Sequence, residues 1–258
     1  MHKAILNSQF FMSNAARHPR VATVLFLCFI WQLSPNVHSQ EKLLITTEEA
    51  NPLSMTKDGG KTIYGAAADK VHELLRRAHI PYDMQSTSWN RALELARTQS
   101  DTCVFSAART PERKAHFTWI GPIAKGDWVI VGSPDKIGKI TQLSQIENAN
   151  IGVYTGDAVG EYLAHRGYHV MTSYSDEITI KNLMIGRLDY WASDSDEAQA
   201  IISKENFKDK LRILFTFASS DYFLACNPNV RADLIAKMKD RLNEMHDDGT
   251  IAMIDAKY

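Results

Sequence analysis

Two side chains of opposite charge stand out in this 258-residue sequence for what they could hold. Arg113 offers a planar guanidinium fork, which matches a carboxylate through two parallel hydrogen bonds. It follows the strand-like run 102–107 by a few residues, at the carboxyl end of a strand, where open α/β sheets bind ligands. Asp194 ends a second such run, 189–193, in the matching position. A fixed cation on one unit and a fixed anion on another suit the carboxylate and the ammonium of a zwitterionic solute. The turn Thr155-Gly156-Asp157-Ala158 lies between a strand and a helix start, whose free backbone N–H groups favour anionic groups. Asp157 or Thr155 serves equally well there as a plain helix cap. Glu48 and Asn51 follow the first strand and would line the same cleft.

Other chemistries find little support. No Gly-rich phosphate loop and no Gly-x-Ser-x-Gly elbow occurs. His165 and His169 have the i, i+4 spacing of zinc ligands, but Gly167 interrupts them and no acidic third ligand is placed, so no metal or other cofactor is expected. Cys103 and Cys226 lack a Cys-x-x-Cys spacing and lie in apolar strand-like runs, where buried thiols and a disulfide both remain open. The formal charge is −1 and no run of Lys and Arg occurs, which argues against a nucleic-acid partner.

The elements that must position these residues alternate. Lys42–Thr47 reads as a strand, 66–78 as a helix with Val71, Leu74, Leu75 and Ala78 on one face, 81–86 as a strand, 91–97 as a helix and 102–107 as a strand. That order predicts a parallel sheet covered by helices. After a strand at 127–132 the pattern restarts, with strands at 150–154 and 189–193 and helices at 159–165, 179–185 and 198–203. A strand at 221–226 and a long amphipathic helix at 232–245 close the chain. The two strand-like crossings near Trp128 and Phe223 would join two α/β units as a hinge, with the ligand cleft between them.

Ahead of all this, Lys3, Arg17 and Arg20 precede an apolar run at 21–33 and a small-residue site at Val37-His38-Ser39, the order of a secretory signal peptide. The apolar run is shorter than the roughly 20 residues of a membrane span. Cleavage after Ser39 would leave 219 residues with a formal charge of −4, because the removed segment carries three cationic side chains and no acids.

Three stretches carry a resemblance. Ser106-Ala107-Ala108-Arg109-Thr110-Pro111-Glu112-Arg113 is followed by Phe117 and Gly121-Pro122; Gly186-Arg187-Leu188-Asp189 leads to Asp194; and Asp248-Gly249-Thr250, Ile254 and Lys257-Tyr258 close the chain. In order and spacing these resemble the bacterial extracellular solute-binding proteins of the polar amino acid type, family 3, from about Leu43 to Tyr258. The resemblance implies an α/β fold of the two-lobed periplasmic binding protein kind (type II), with two lobes joined by a two-strand hinge. Lobe 1 would take 41–127 and 222–258 and lobe 2 would take 128–221. It assigns Arg113 to an α-carboxylate and Asp194 to an α-amino group. It turns Tyr154, Asp157 and Ala158 toward the cleft, sets Trp89 as a wall against the ligand, and places Ser106 among the site residues.

The implied protein is a periplasmic monomer that captures a small polar, amino-acid-like ligand for uptake by an ABC permease. A sensory protein presenting its ligand to a membrane receptor is one alternative. An enzyme similar to periplasmic cyclohexadienyl dehydratases, with Glu48 or Glu112 as general acid, is another. Several positions depart from the family pattern. Ala108 stands where a Ser or Thr is usual, Asn51 and Leu53 replace aromatics, and Asp157 adds a negative charge that would repel a carboxylate. These departures point away from a standard α-amino acid, toward a modified amino acid, a small peptide, an amine or an organic acid.

Overall fold

The computed structural model describes residues 42–204 and 206–258. The expected signal peptide lies outside the described residues. Among the described residues no helix is long and apolar enough to cross a membrane.

The first strand, β1 (Leu43–Thr47), is buried along nearly its whole length, as a strand covered on both faces must be. Its polar Thr46 is tolerated because the hydroxyl hydrogen bonds to the carbonyls of Ala92 and Cys103. The turn-rich stretch that follows forms a small hairpin, β2 (Met55–Lys57) with β3 (Thr62–Tyr64), closed over Asp58, Gly59 and Gly60 in left-handed backbone conformation. Helix α1 (Ala66–Ala78) buries Val71, Leu74, Leu75 and Ala78, as their spacing predicts. Strand β4 (Tyr82–Ser86), helix α2 (Trp89–Thr98) and strand β5 (Thr102–Ala108) complete the first βαβαβ unit. Here β1 pairs in parallel with both β4 and β5. A single helical turn, α3 (Pro111–Lys114), follows; Thr110 caps it by accepting from the Arg113 N–H.

Strand β6 (Thr118–Gly132) is nine residues longer than its sequence signal. Gly121, Pro122 and Gly126 mask its first half, yet antiparallel pairing with an equally long β10 (Arg212–Cys226) carries it through. The ladder slips opposite Phe223, beside Pro122, which has no N–H to offer.

The second unit comprises β7 (Asn150–Tyr154), α4 (Ala158–His165), β8 (His169–Ser173), α5 (Asp176–Met184), β9 (Tyr190–Asp194) and α6 (Ser195–Ile202). Helices α7 (Ala232–Asp247) and α8 (Thr250–Asp255) return to pack on the first unit, where Leu234, Ile235, Met238, Leu242, Met245 and Ile254 join its core.

The eight principal strands form one sheet in the order β4-β1-β5-β10-β6-β9-β7-β8. The sheet is mixed rather than purely parallel: β10 runs antiparallel to β5 and β6, and β6 runs antiparallel to β9. The reason is that β6 and β10 serve both units and must cross between them in opposite directions. The result is a two-lobed periplasmic binding protein fold. One core lies on Leu43, Ile45, Leu74 and Phe105; separate cores lie around Ile130, Ile151 and Leu163 and around Val131 and Trp191. Residues 127–128 and 221–222, where the sequence divides the lobes, fall inside β6 and β10.

Cys103 and Cys226 are bonded as a disulfide that ties β5 to β10, where the two residues face each other in register.

Candidate functional site

The carboxyl ends of β1 and β5, the starts of α2 and α4, and the β9–α6 junction converge on one cavity of about 70 Å3. All nine residues singled out in the sequence line it. Glu48, Asn51, Trp89, Ser106 and Arg113 come from the first unit; Tyr154, Asp157, Ala158 and Asp194 come from the second. Leu53, Ala108, Val159, Asp196, Glu197 and Tyr222 complete much of the wall.

The two units touch across this cavity. Gly156 adopts φ +78, a left-handed conformation that favours glycine, and a Cβ there would meet the Asn90 side chain of the opposite unit. Its carbonyl accepts from Trp89 Nε1 at 2.9 Å and from Arg113 Nη2 at 2.8 Å. Trp89 is thus both buried and a wall of the cavity, and the Arg113 guanidinium stands 5.6 Å from its ring centre. Arg113 is itself only 4% exposed, and it is paired: Nη2 donates to Glu161 Oε1 at 2.9 Å and Nε donates to the same oxygen at 3.3 Å. Thr110 donates to the other Glu161 oxygen at 3.1 Å. Glu112, also on α3, meets His165 of α4 at 2.7 Å. Glu112 lies outside the cavity lining, and local hydrogen bonding holds its carboxyl below the ordinary range.

Asp157 caps α4 by accepting from the Val159 N–H and faces the cavity as well, so both sequence readings of that turn describe it. Burial pushes its carboxyl up to about 6, against the pull of Arg113. Asp194 ends β9 and caps α6 by accepting from the Asp196 N–H at 3.0 Å. It accepts from the Tyr222 hydroxyl at 2.7 Å, and Tyr222 accepts from Trp128 Nε1 at 3.1 Å. Burial raises the Asp194 carboxyl, and these hydrogen bonds oppose the rise. Glu48 is pushed up to about 8, by burial and then by the nearby charges of Asp157 and Asp176. Glu197 is also held well above the ordinary range, by burial and by Asp176 and Glu48. Ser106 adopts φ +63, and its hydroxyl oxygen is buried without a hydrogen-bond partner.

Glu161, Asp196, Glu197 and Tyr222 escaped the sequence reading. The Asp194-Ser195-Asp196-Glu197 cluster directly after a strand was the legible signal for two of them. Glu161 looks like any polar helix residue until the lobes meet. No group of three or more His, Cys, Asp or Glu side chains among the described residues is arranged to hold a metal ion.

Comparison with solved structures finds the same fold at low identity. The arginine-, lysine-, histidine-binding protein ArtJ from Geobacillus stearothermophilus superposes with a TM-score of 0.71 at 20% identity, over 84% of this chain and 95% of that one. An arginine transport-system periplasmic binding protein from Legionella pneumophila gives 0.70 at 21% identity, over 84% and 99%. A histidine kinase sensor domain similar to periplasmic binding proteins gives 0.75 at 15% identity, over 85% and 96%. No curated protein sequence matches the chain. The family model for bacterial extracellular solute-binding proteins, family 3, matches residues 43–258. That match spans the whole two-lobed unit, cavity included, and the chain belongs to that family.

Proposed function

We propose that this protein is a periplasmic solute-binding protein that closes two lobes, 41–127 with 222–258 and 128–221, on a small polar, amino-acid-like ligand and delivers it to an ABC permease. The observation that carries the reading is the convergence of ionisable side chains from both lobes on one cavity. Contacts with both lobes let a ligand bias open against closed populations, and β6 with β10 provides the hinge. The ArtJ neighbour is an arginine-, lysine-, histidine-binding protein and the Legionella neighbour belongs to an arginine transport system, which supports uptake of an amino-acid-like solute. A thermal-shift screen of the purified protein against amines, amino acids and organic acids tests this, because a tight binder protects the folded state by mass action. If no small solute shifts the melting temperature, the capture reading fails.

Two other readings each have one observation in their favour. The sensor-domain neighbour supports presentation of the ligand to a membrane receptor, and pull-down of a permease or of a receptor partner separates the two. A Glu48 carboxyl that keeps its proton at neutral pH has the property a general acid needs, which favours a dehydratase-like enzyme. Turnover of prephenate or arogenate, abolished in Glu48→Gln, would establish that reading. The crowd of carboxylates around Glu48 disfavours such acidic substrates.

A further inference from the structure

Acidic side chains outnumber basic ones in the cavity lining. Glu48, Asp157, Asp194, Asp196 and Glu197 line it, and Asp176 stands beside Glu197. Arg113 is the one Lys or Arg among the lining residues, and its Nε and Nη2 are engaged by Glu161 and the Gly156 carbonyl. None of the five lining carboxylates forms an ion pair among the described residues. The acids act on one another across the cavity: Asp157 and Asp176 raise Glu48, Asp176 and Glu48 raise Glu197, and Asp176 and Asp194 raise Asp157. The buried Ser106 hydroxyl, without a partner at the same wall, is a further polar group awaiting one. Carboxylates gathered in an enclosed space are costly until cations offset them. A carboxylate entering this space would meet these acids, and pairing with the Nε–Nη2 edge of Arg113 would require displacing Glu161, which Thr110 also holds.

We infer that the cleft selects a compact organic cation with two protonated nitrogens and no carboxylate, a diamine or an aminoalkyl guanidine, with Glu161 filling the Arg113 fork in place of a ligand carboxylate. The inference rests on the cavity being the ligand site proposed above. Both nitrogens have acids to face, Glu48 on the first lobe and Asp157, Asp194 and Glu197 on the second. Binding draws protons off Glu48 and Glu197, because a cation beside them stabilises their ionised forms.

Matched pairs test the inference by calorimetry on the purified protein: 1,4-diaminobutane against ornithine, 1,5-diaminopentane against lysine, and agmatine against arginine. In at least one pair the amine is expected to bind about tenfold or more tighter than its amino acid, with proton release seen as a buffer-dependent heat. Equal or tighter binding of the amino acid in every pair overturns the inference and leaves solute capture intact. So does protection by some other solute when all six are inert. Absence of any protecting solute removes both readings. In Glu161→Gln, which unblocks Arg113, the preference for the amine should shrink by about tenfold; an unchanged ratio overturns Glu161 as the stand-in carboxylate. Should that variant fail to fold, Glu197→Gln is the second: amine affinity should fall by about tenfold, and an unaltered affinity counts against the inference.

Discussion

Tyr222 donates a 2.7 Å hydrogen bond to Asp194 while accepting one from Trp128 Nε1, so the acid at the end of β9 is held by residues of the two crossing strands, β10 and β6. The position of Asp194 is therefore tied to the hinge, and bending the hinge moves an anion of the cavity. Tyr222→Phe removes one hydrogen bond to a carboxylate and leaves the Trp128 N–H without its acceptor. Such a loss costs about 1–3 kcal/mol. The expected result is a weaker ligand complex with the fold retained, read as a higher Kd by calorimetry and an unchanged circular dichroism spectrum. An unaltered Kd would remove Asp194 from ligand contact, or Tyr222 from holding it.

Stability of the ligand-free protein should fall as pH rises. Burial lifts Glu48 from 4.5 to about 8, so the folded protein keeps a proton that the unfolded chain has already released. The stabilisation is fully present below pH 4.5 and is lost as pH climbs through about 8. Asp157 adds the same sign between 3.8 and about 6. The groups facing Glu48 are Asp157 and Asp176 on the raising side and the Trp89 N–H with Arg113 on the lowering side, and Glu48 in turn raises Glu197. Each unit of such a shift corresponds to about 1.4 kcal/mol, which makes the slope measurable. Melting temperatures across pH 5–8 check it, with Glu48→Gln as control. A slope of the same steepness in that variant would take Glu48 out of the account.

Some of this was legible in the chain and some was not, for physical reasons. Val71, Leu74 and Leu75 declare α1 because helical periodicity is local, and Leu234 to Met245 do the same for α7. The first half of β6 is not legible, since Gly121, Pro122 and Gly126 read as breakers and only the partner strand β10 shows otherwise. Strand β8 is half polar and sits at the sheet edge, so its alternation is weak. The convergence of Arg113 and Asp194 follows from their places at strand ends. The capture of Arg113 by Glu161, 48 positions away, is tertiary and has no local signature.

Reducing the disulfide should loosen the first lobe more than the second. Cys103 and Cys226 join β5 to β10 across 123 residues of chain. A loop of that length contributes about 3–5 kcal/mol through the unfolded state. Oxidised protein should therefore melt well above the protein in dithiothreitol, and Cys103→Ala with Cys226→Ala should reproduce the reduced value under either condition. The bond also suits a protein that matures in an oxidising compartment. Equal melting temperatures in the two redox states would show that pairing along the β5–β10 ladder suffices without the link.

Gly126 isolates the geometry of the cavity from the stability of the fold. It lies in β6 without a positive φ, so alanine is acceptable to the backbone there. A Cβ at this position, however, would run into the Asp194 carboxylate and would stand 2.7 Å from two atoms of the Tyr222 side chain, Cε2 and the hydroxyl oxygen. That ring is pinned by Trp128, so the clash is relieved by displacing the Asp194–Tyr222 pair rather than by a free side chain swinging aside. Gly126→Ala is expected to weaken ligand binding by about 1–3 kcal/mol, the usual cost of overpacking, and to bias the hinge toward the open form. Small-angle scattering with and without the best ligand reads the second effect: the compaction that ligand produces in the parent protein should be smaller in the variant. Full compaction at unchanged affinity would mean that the strand accommodates the methyl group, and that the approach of Asp194 to β6 is not what sets the closed geometry.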